Sequence, residues 1–237
     1  MGAGSSVSFR DDLGRESTTD LGTVAASVLA VAVPWRVFRW RHGQAHYSGW
    51  YWSATTGGHV VYESQLELAR LLLADFDPGV VTIAAQPFCV STEVEGVRRR
   101  HVPDFLLLDA DGVVTVVNVK PADQLARPKV TAALAWAGEV FAERGWRHEV
   151  WSGASATVLG NVRFLAAYRY PDRVDTAAVS WLDTQVATSV LLGDLESRDG
   201  PAAVDVRAAA LHLVWRGVFR IDLEAPLSAT SMLERAA

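Results

Sequence analysis

Within HVPDFLLLDADGVVTVVNVKP, residues 101–121, an aspartate (Asp104), an asparagine (Asn118) and a lysine (Lys120) flank what reads as a β-hairpin. Side chains alternate along a strand, so Asn118 and Lys120 leave one face while Val117 and Val119 leave the other. A three-residue loop, Ala110-Asp111-Gly112, with the glycine in the left-handed conformation, pairs Asp109 with Val113, and the same register sets Asp104 opposite Asn118. A two-residue loop would turn Asp104 to the wrong side. A carboxylate, an amide oxygen and an ammonium gathered on one strand pair suit phosphodiester hydrolysis with Mg²⁺. Hard oxygens hold the hard cation, the cation polarises phosphate and acidifies water, and the ammonium orients that water or offsets developing charge. Glu63, at the start of a predicted helix, offers another carboxylate. Each residue also has an ordinary use: a glutamate in a first helical turn complements the helix dipole, worth about 0.3–1 kcal/mol, and Lys120 before Pro121 can simply end a strand.

The elements that must position these groups are legible from periodicity. YESQLELARLLLADFD, residues 62–77, puts Leu66, Ala69, Leu73 and Phe76 on one helical stripe, and Pro78-Gly79 ends it. Residues 80–94 read as extended chain interrupted at Pro87. After the hairpin, Pro128 opens a helix that Gly145 stops, WRHEVWS (146–152) alternates as a strand, and TVLGNVRFLAAYRY (157–170) reads as a short helix. Helix, strand, hairpin, helix, strand, helix is an α/β order with a mixed sheet. A boundary is expected near Tyr170-Pro171-Asp172. Beyond it come helices over about 176–195 and 204–214 and the short runs VFRIDL and LSATSML. A module this small is expected to lean on the core or on a partner, with Trp181, Trp215 and Phe219 as the apolar area it cannot bury alone. Residues 1–33, whose first twenty are rich in Ser, Gly, Thr and Asp, read as a loose leader.

The chain has 237 residues, half of them hydrophobic, enough to bury a sizeable core. Cys89 is its only cysteine, which excludes an intramolecular disulfide and a cysteine-rich zinc site and suits a reducing cytoplasm. The longest apolar run, Leu21–Val33, has 13 residues, short of the roughly 20 that span a bilayer, so neither a signal peptide nor a membrane anchor is expected. The net charge of −5 argues against coating nucleic acid by charge alone. Its distribution is uneven: ten acids and six bases follow Pro171, while Arg36, Arg39 and Arg41 lie in a stretch without acids, and Arg98, Arg99, Arg100 and His101 directly precede the hairpin. Basic runs of this length are usually solvated faces; beside a candidate nuclease site they become candidate DNA-phosphate contacts.

YESQLEL (62–68), AAQPF (84–88), HVPDFLL (101–107), VVNVKP (116–121) and GWRHEVWSGASATVLGNVRFLAAYRYP (145–171) resemble, in order and spacing, TnsA-like transposase endonuclease subunits of the PD-(D/E)xK restriction-endonuclease-like superfamily. The resemblance covers residues 34–171, and residues 172–237 more loosely resemble that family's small winged-helix-like domain. It implies a Mg²⁺-dependent endonuclease, with Mn²⁺ as a substitute, that cuts DNA at transposon ends beside an integrase-like transposase subunit and an AAA+ ATPase regulator. Carried over by motif, Glu63, Asp104 and Asn118 bind metal with the carbonyl of Val119, Lys120 is the catalytic lysine, and Gln86 matches a motif glutamine. Asn118 stands where the superfamily has Asp or Glu. An amide oxygen is still a hard ligand, so Asn118 is expected to be a weaker one. The alternatives are a non-cutting DNA-binding or scaffold subunit that keeps the fold, or another nuclease of this fold acting in restriction or repair.

Overall fold

The structure is a computed structural model that describes residues 4–36, 47–94, 96–196 and 205–236. It divides into two units, the first comprising Met1–Asp75 and Gly79–Gly153 and the second Phe76–Pro78 and Ala154–Ala237.

The first unit opens with strands β1 (Ser6–Arg10) and β2 (Glu16–Asp20) and a short helix α1 (Ala26–Ala30). A hairpin follows, β3 (Gly49–Ser53) and β4 (Gly58–Tyr62), then helix α2 (Gln65–Phe76) and strands β5 (Val80–Ala85), β6 (Phe88–Val94), β7 (Val97–His101), β8 (Phe105–Asp109) and β9 (Val114–Val119). Helices α3 (Ala122–Leu125) and α4 (Pro128–Glu143) and strand β10 (Arg147–Trp151) close it. One sheet has the order β10-β9-β8-β5, with β10 parallel to β9 and the other pairs antiparallel, so the sheet is mixed. A second, antiparallel sheet has the order β2-β1-β6-β7.

The hairpin that carries the candidate site folds with the three-residue loop. Gly112 has φ +78°, Asp109 N–H donates to Val113 O at 3.2 Å, and the Asp109 carboxylate accepts the amides of Asp111 and Val113. The ladder then pairs Phe105 with Val117 and Leu106 with Val116. Apolar side chains from both sheets, α1 and α4 form the core around Val7, Leu29, Phe88, Leu106, Val116 and Phe141. Phe88 meets Phe141 edge-on at 6.1 Å, a geometry that aromatic quadrupoles favour.

Two expectations change here. Residues 6–30 are no leader: β1 is hydrogen-bonded between β2 and β6, and Val7 and Leu29 are fully buried. Of the expected stripe on α2, Ala69 is buried while Leu66, Leu73 and Phe76 are half-buried, and the buried set also takes in Glu67, Leu71, Leu72, Ala74 and Asp75. Polar residues go inside there because each is satisfied. Asp75 accepts the Tyr51 and Ser53 hydroxyls at 2.7 and 2.6 Å and the amides of Ala54 and Thr55, which fastens the β3–β4 hairpin to α2. Arg70 forks onto Glu149 at 2.8 and 2.7 Å and ties α2 to β10.

The second unit contains α5 (Ala156–Leu165), α6 (Thr176–Gln185), β11 (Ser189–Leu191), α7 (Leu192–Glu196), α8 (Val206–Trp215), β12 (Phe219–Ile221) and β13 (Met232–Arg235), with sheet order β11-β13-β12. It begins before the expected boundary at 171/172, because Asn161 on α5 donates its amide to Leu223 O and Ala225 O at 2.9 and 2.8 Å and so belongs with the β12–β13 connection. The helix expected over 176–195 is interrupted by β11. Trp215 and Phe219, expected as open apolar area, are 4% and 1% exposed inside this unit. Every residue of α8 from Ala209 to Trp215 is buried. Among the described residues no helix is long and apolar enough to cross a membrane.

The N-terminal strands give a direct test. Leu29→Ala should cost about 2–5 kcal/mol in urea unfolding, the range for truncating a packed leucine, whereas a residue in an unstructured leader would change stability by less than about 0.5 kcal/mol.

Candidate functional site

Asp104 sits just before β8, 4% exposed. Its backbone is held on both sides, N–H to Val117 O at 3.0 Å and C=O from Gln86 N–H at 2.9 Å. A buried carboxylate is costly unless hydrogen-bonded, and here Oδ2 accepts the Val119 amide at 2.7 Å and the Lys120 ammonium at 3.3 Å. Lys120 also donates to Val119 O at 2.9 Å. One cation thus bridges Asp104 Oδ2 and the Val119 carbonyl, two hard oxygens of the kind that bind Mg²⁺. Asp104 and Lys120 are on the same side of the sheet.

Glu63 and Asn118 are engaged elsewhere. Glu63, a third exposed, pairs with Arg36 at 2.8 Å. Asn118 is fully buried, and its Oδ1 lies 3.0 Å from both His101 Nε2 and His148 Nε2. In this orientation of the amide both imidazoles donate to that oxygen, and Nδ2 has no partner among the described residues. Leaving a buried donor unmet costs about 1–3 kcal/mol. Burial holds both imidazoles below the ordinary histidine range, and for His148 the neighbouring His101 adds repulsion. Among the described residues no three of His, Cys, Asp and Glu converge to hold a metal ion. A cation here would therefore rest on Asp104, main-chain oxygen and whatever amide or glutamate oxygen is freed for it.

Sequence reasoning missed Glu67, His148 and the inward role of His101. Ser64 and Glu67 have the spacing of a capping box: Ser64 Oγ accepts Glu67 N–H at 3.1 Å, and the Glu67 carboxylate accepts Glu63 N–H at 2.8 Å and the Ser64 hydroxyl at 3.1 Å. That signal was available in Ser-Gln-Leu-Glu. Burial pushes the Glu67 carboxyl up to about 7, opposed by the Glu63 amide and reinforced by the charges of Asp104 and Glu63. No local pattern joins His101 on β7 to His148 on β10, because their meeting point is a long-range product of the fold. His101, expected at a phosphate, is committed to Asn118.

Arg98, Arg99 and Arg100 are exposed along β7, an edge strand. Arg39 and Arg41 lie outside the described residues. Gln86 is 1% exposed with φ +46°, a conformation uncommon for a side-chain-bearing residue, and neither end of its amide has a partner among the described residues.

Residues 77–153 match the family model for the TnsA-like endonuclease N-terminal domain. The match includes Arg98–Arg100, His101, Asp104, Asn118, Val119, Lys120 and His148, and begins after Glu63. No curated protein matches the chain.

The raised carboxyl of Glu67 sets a pH dependence. A folded value above the unfolded one favours the protonated form, so its stabilisation is complete below about pH 4.5 and lost as pH rises through about 7. Glu67→Gln keeps the capping-box partner but cannot ionise. In metal-free buffer the mutant should gain on wild type as pH rises across that window, by an amount on the order of 3 kcal/mol for a shift of this size. Urea unfolding at a series of pH values measures it, and a pH-independent difference would contradict the shift.

Proposed function

We propose that this chain, whose residues 77–153 match the TnsA-like endonuclease N-terminal domain, is a Mg²⁺-dependent DNA endonuclease that cuts at transposon ends as one subunit of a heteromeric transposase in the cytoplasm. The observation that carries this reading is the Lys120 ammonium resting on Asp104 Oδ2 and Val119 O. Asp104 and the Val119 carbonyl would hold the cation, with Asn118 and Glu63 completing its oxygen set, and Mn²⁺ would substitute. When bound there, Mg²⁺ supplies the charge that polarises a phosphate and acidifies a water. Lys120, within hydrogen-bond reach of the oxygens that hold the metal, orients the attacking water and offsets negative charge at the scissile phosphate. The exposed arginines of β7 take DNA phosphates flanking the cut.

The partners proposed are DNA, an integrase-like transposase subunit that cuts and joins the other strand, and an AAA+ ATPase regulator. We read the second unit as a winged-helix-like module, a reading supported by the helix, strand, two helices and strand pair that follow α5, and one that suits a protein partner better than DNA. Its α8, the element such modules place in a groove, is buried through seven consecutive residues, and the chain after Pro171 carries a net charge of −4. A second reading, a non-cutting DNA-binding or scaffold subunit, is favoured by one observation: position 118 is a neutral amide whose oxygen already faces two imidazoles.

Strand cleavage of a transposon-end duplex by the reconstituted complex, with Mg²⁺ and Mn²⁺ titrated, separates the two. On the enzyme reading wild type nicks DNA, Asp104→Ala abolishes nicking while sparing DNA binding, and Lys120→Ala lowers it by about 10²–10³-fold. Replacing Arg98, Arg99 and Arg100 together by Ala should reduce the salt slope of DNA binding by up to about 3, near 0.9 per lost phosphate contact. No nicking by wild type across the titration would favour the scaffold, and an unchanged salt slope would return the arginines to a solvated face.

A further inference from the structure

Asn118 presents one end of its amide to two imidazoles and leaves the other end buried and unpaired. The two ends of an amide are nearly isosteric, so the same site accepts the group turned by half a rotation. With Oδ1 toward the rings, two imidazole N–H groups meet its two lone pairs. Turned, the two N–H groups of Nδ2 meet the bare Nε2 lone pairs of His101 and His148, and the match in number is equally good. The difference lies at the far end, which carries two unmet donors in the first arrangement and an open oxygen in the second. Only the second gives a cation a ligand at position 118.

We infer that His101 and His148 are positioning residues which, acting as acceptors, hold the Asn118 amide with its oxygen toward the metal. The inference rests on the metal-dependent reading above. Three features of the structure support it. Both Nε2 atoms converge on a single amide end at 3.0 Å, which fixes the plane of the group. Gly138 on α4 leaves the room that His148 needs, since a methyl there would lie 2.8 Å from Nδ1. Phe141 lies against both rings, 6.4 Å from His101 and 5.6 Å from His148, and limits their rotation. Ligand orientation by outer partners of this kind is a general means of setting metal affinity.

A carboxylate has the same atom at both ends, so Asn118→Asp removes the need for orientation and supplies the control. Mn²⁺ binding to the full chain, followed by electron paramagnetic resonance of the free ion, should weaken about 10–100-fold in His101→Phe and in His148→Phe, the usual effect of losing an orienting partner. His101→Gln, which retains an acceptor, should recover most of the loss. In the Asn118→Asp background the same replacements should cause no loss of Mn²⁺ affinity. Independently, ¹⁵N spectra of the Mg²⁺-saturated wild type should show Nε2 of both histidines unprotonated. Equal losses in the two backgrounds, or protonated Nε2 atoms under saturating Mg²⁺, would overturn the inference while leaving the metal centre standing. Failure of Mn²⁺ to bind wild type and Asn118→Asp alike, or binding that survives Asp104→Ala, would remove the metal centre itself and this inference with it.

Discussion

The Val119 amide donates to Asp104 Oδ2 at 2.7 Å, and this one bond does two things that the rest of the site requires. It supplies a donor to a carboxylate that is almost wholly out of water, where an unpaired charge would cost several kcal/mol (order of magnitude) or be lost to protonation. It also locks the end of β9 against the start of β8, so the Val119 carbonyl and the Lys120 side chain are delivered to the same carboxylate. The Asp109–Gly112 turn makes this possible. A slip of one residue in that hairpin would send Asp104 to the opposite face of the sheet, because side-chain direction alternates with period two.

How much of this was legible beforehand follows from how local each determinant is. The hairpin was, because Gly112 in the left-handed region specifies the loop and the loop specifies the pairing of Phe105 with Val117. Helix α4 was, since Pro128 and Gly145 mark its ends by their own backbone constraints. The β1–β2 hairpin was not: every residue of β2 is exposed, so no apolar alternation announces it, and β1 is secured by pairing with β6 some eighty residues away. The buried stripe of α2 was misread for a related reason. Burial of Glu67 and Asp75 is made tolerable by bonds to Ser64, Tyr51, Ser53 and loop amides, and a hydrophobic pattern cannot register a polar side chain satisfied by distant partners.

The same distinction explains the site. Asp104 and Lys120 meet through the geometry of a single hairpin, and sequence parity suffices to bring them together. The surroundings of Asn118 depend on β7 and β10 arriving from different parts of the chain, so its two imidazole neighbours leave no trace in the local pattern.

The charge balance gives a physical reason for an amide at position 118. Glu67 already feels Asp104 and Glu63 strongly enough to help raise its carboxyl to about 7, with one ammonium, Lys120, paired to Asp104 and one guanidinium, Arg36, paired to Glu63. An aspartate at 118 would add a further anion to this group in the metal-free protein, where no divalent cation is present to offset it. It would also draw protons onto His101 and His148, since a buried carboxylate within hydrogen-bond distance favours imidazolium. The neutral amide avoids both effects while keeping an oxygen at the position. On the proposed metal-dependent reading, a site built this way trades ligand charge for an uncharged interior at rest, and the strength of its metal binding would depend on which way the amide faces, a property its two histidine neighbours would set together with Asn118.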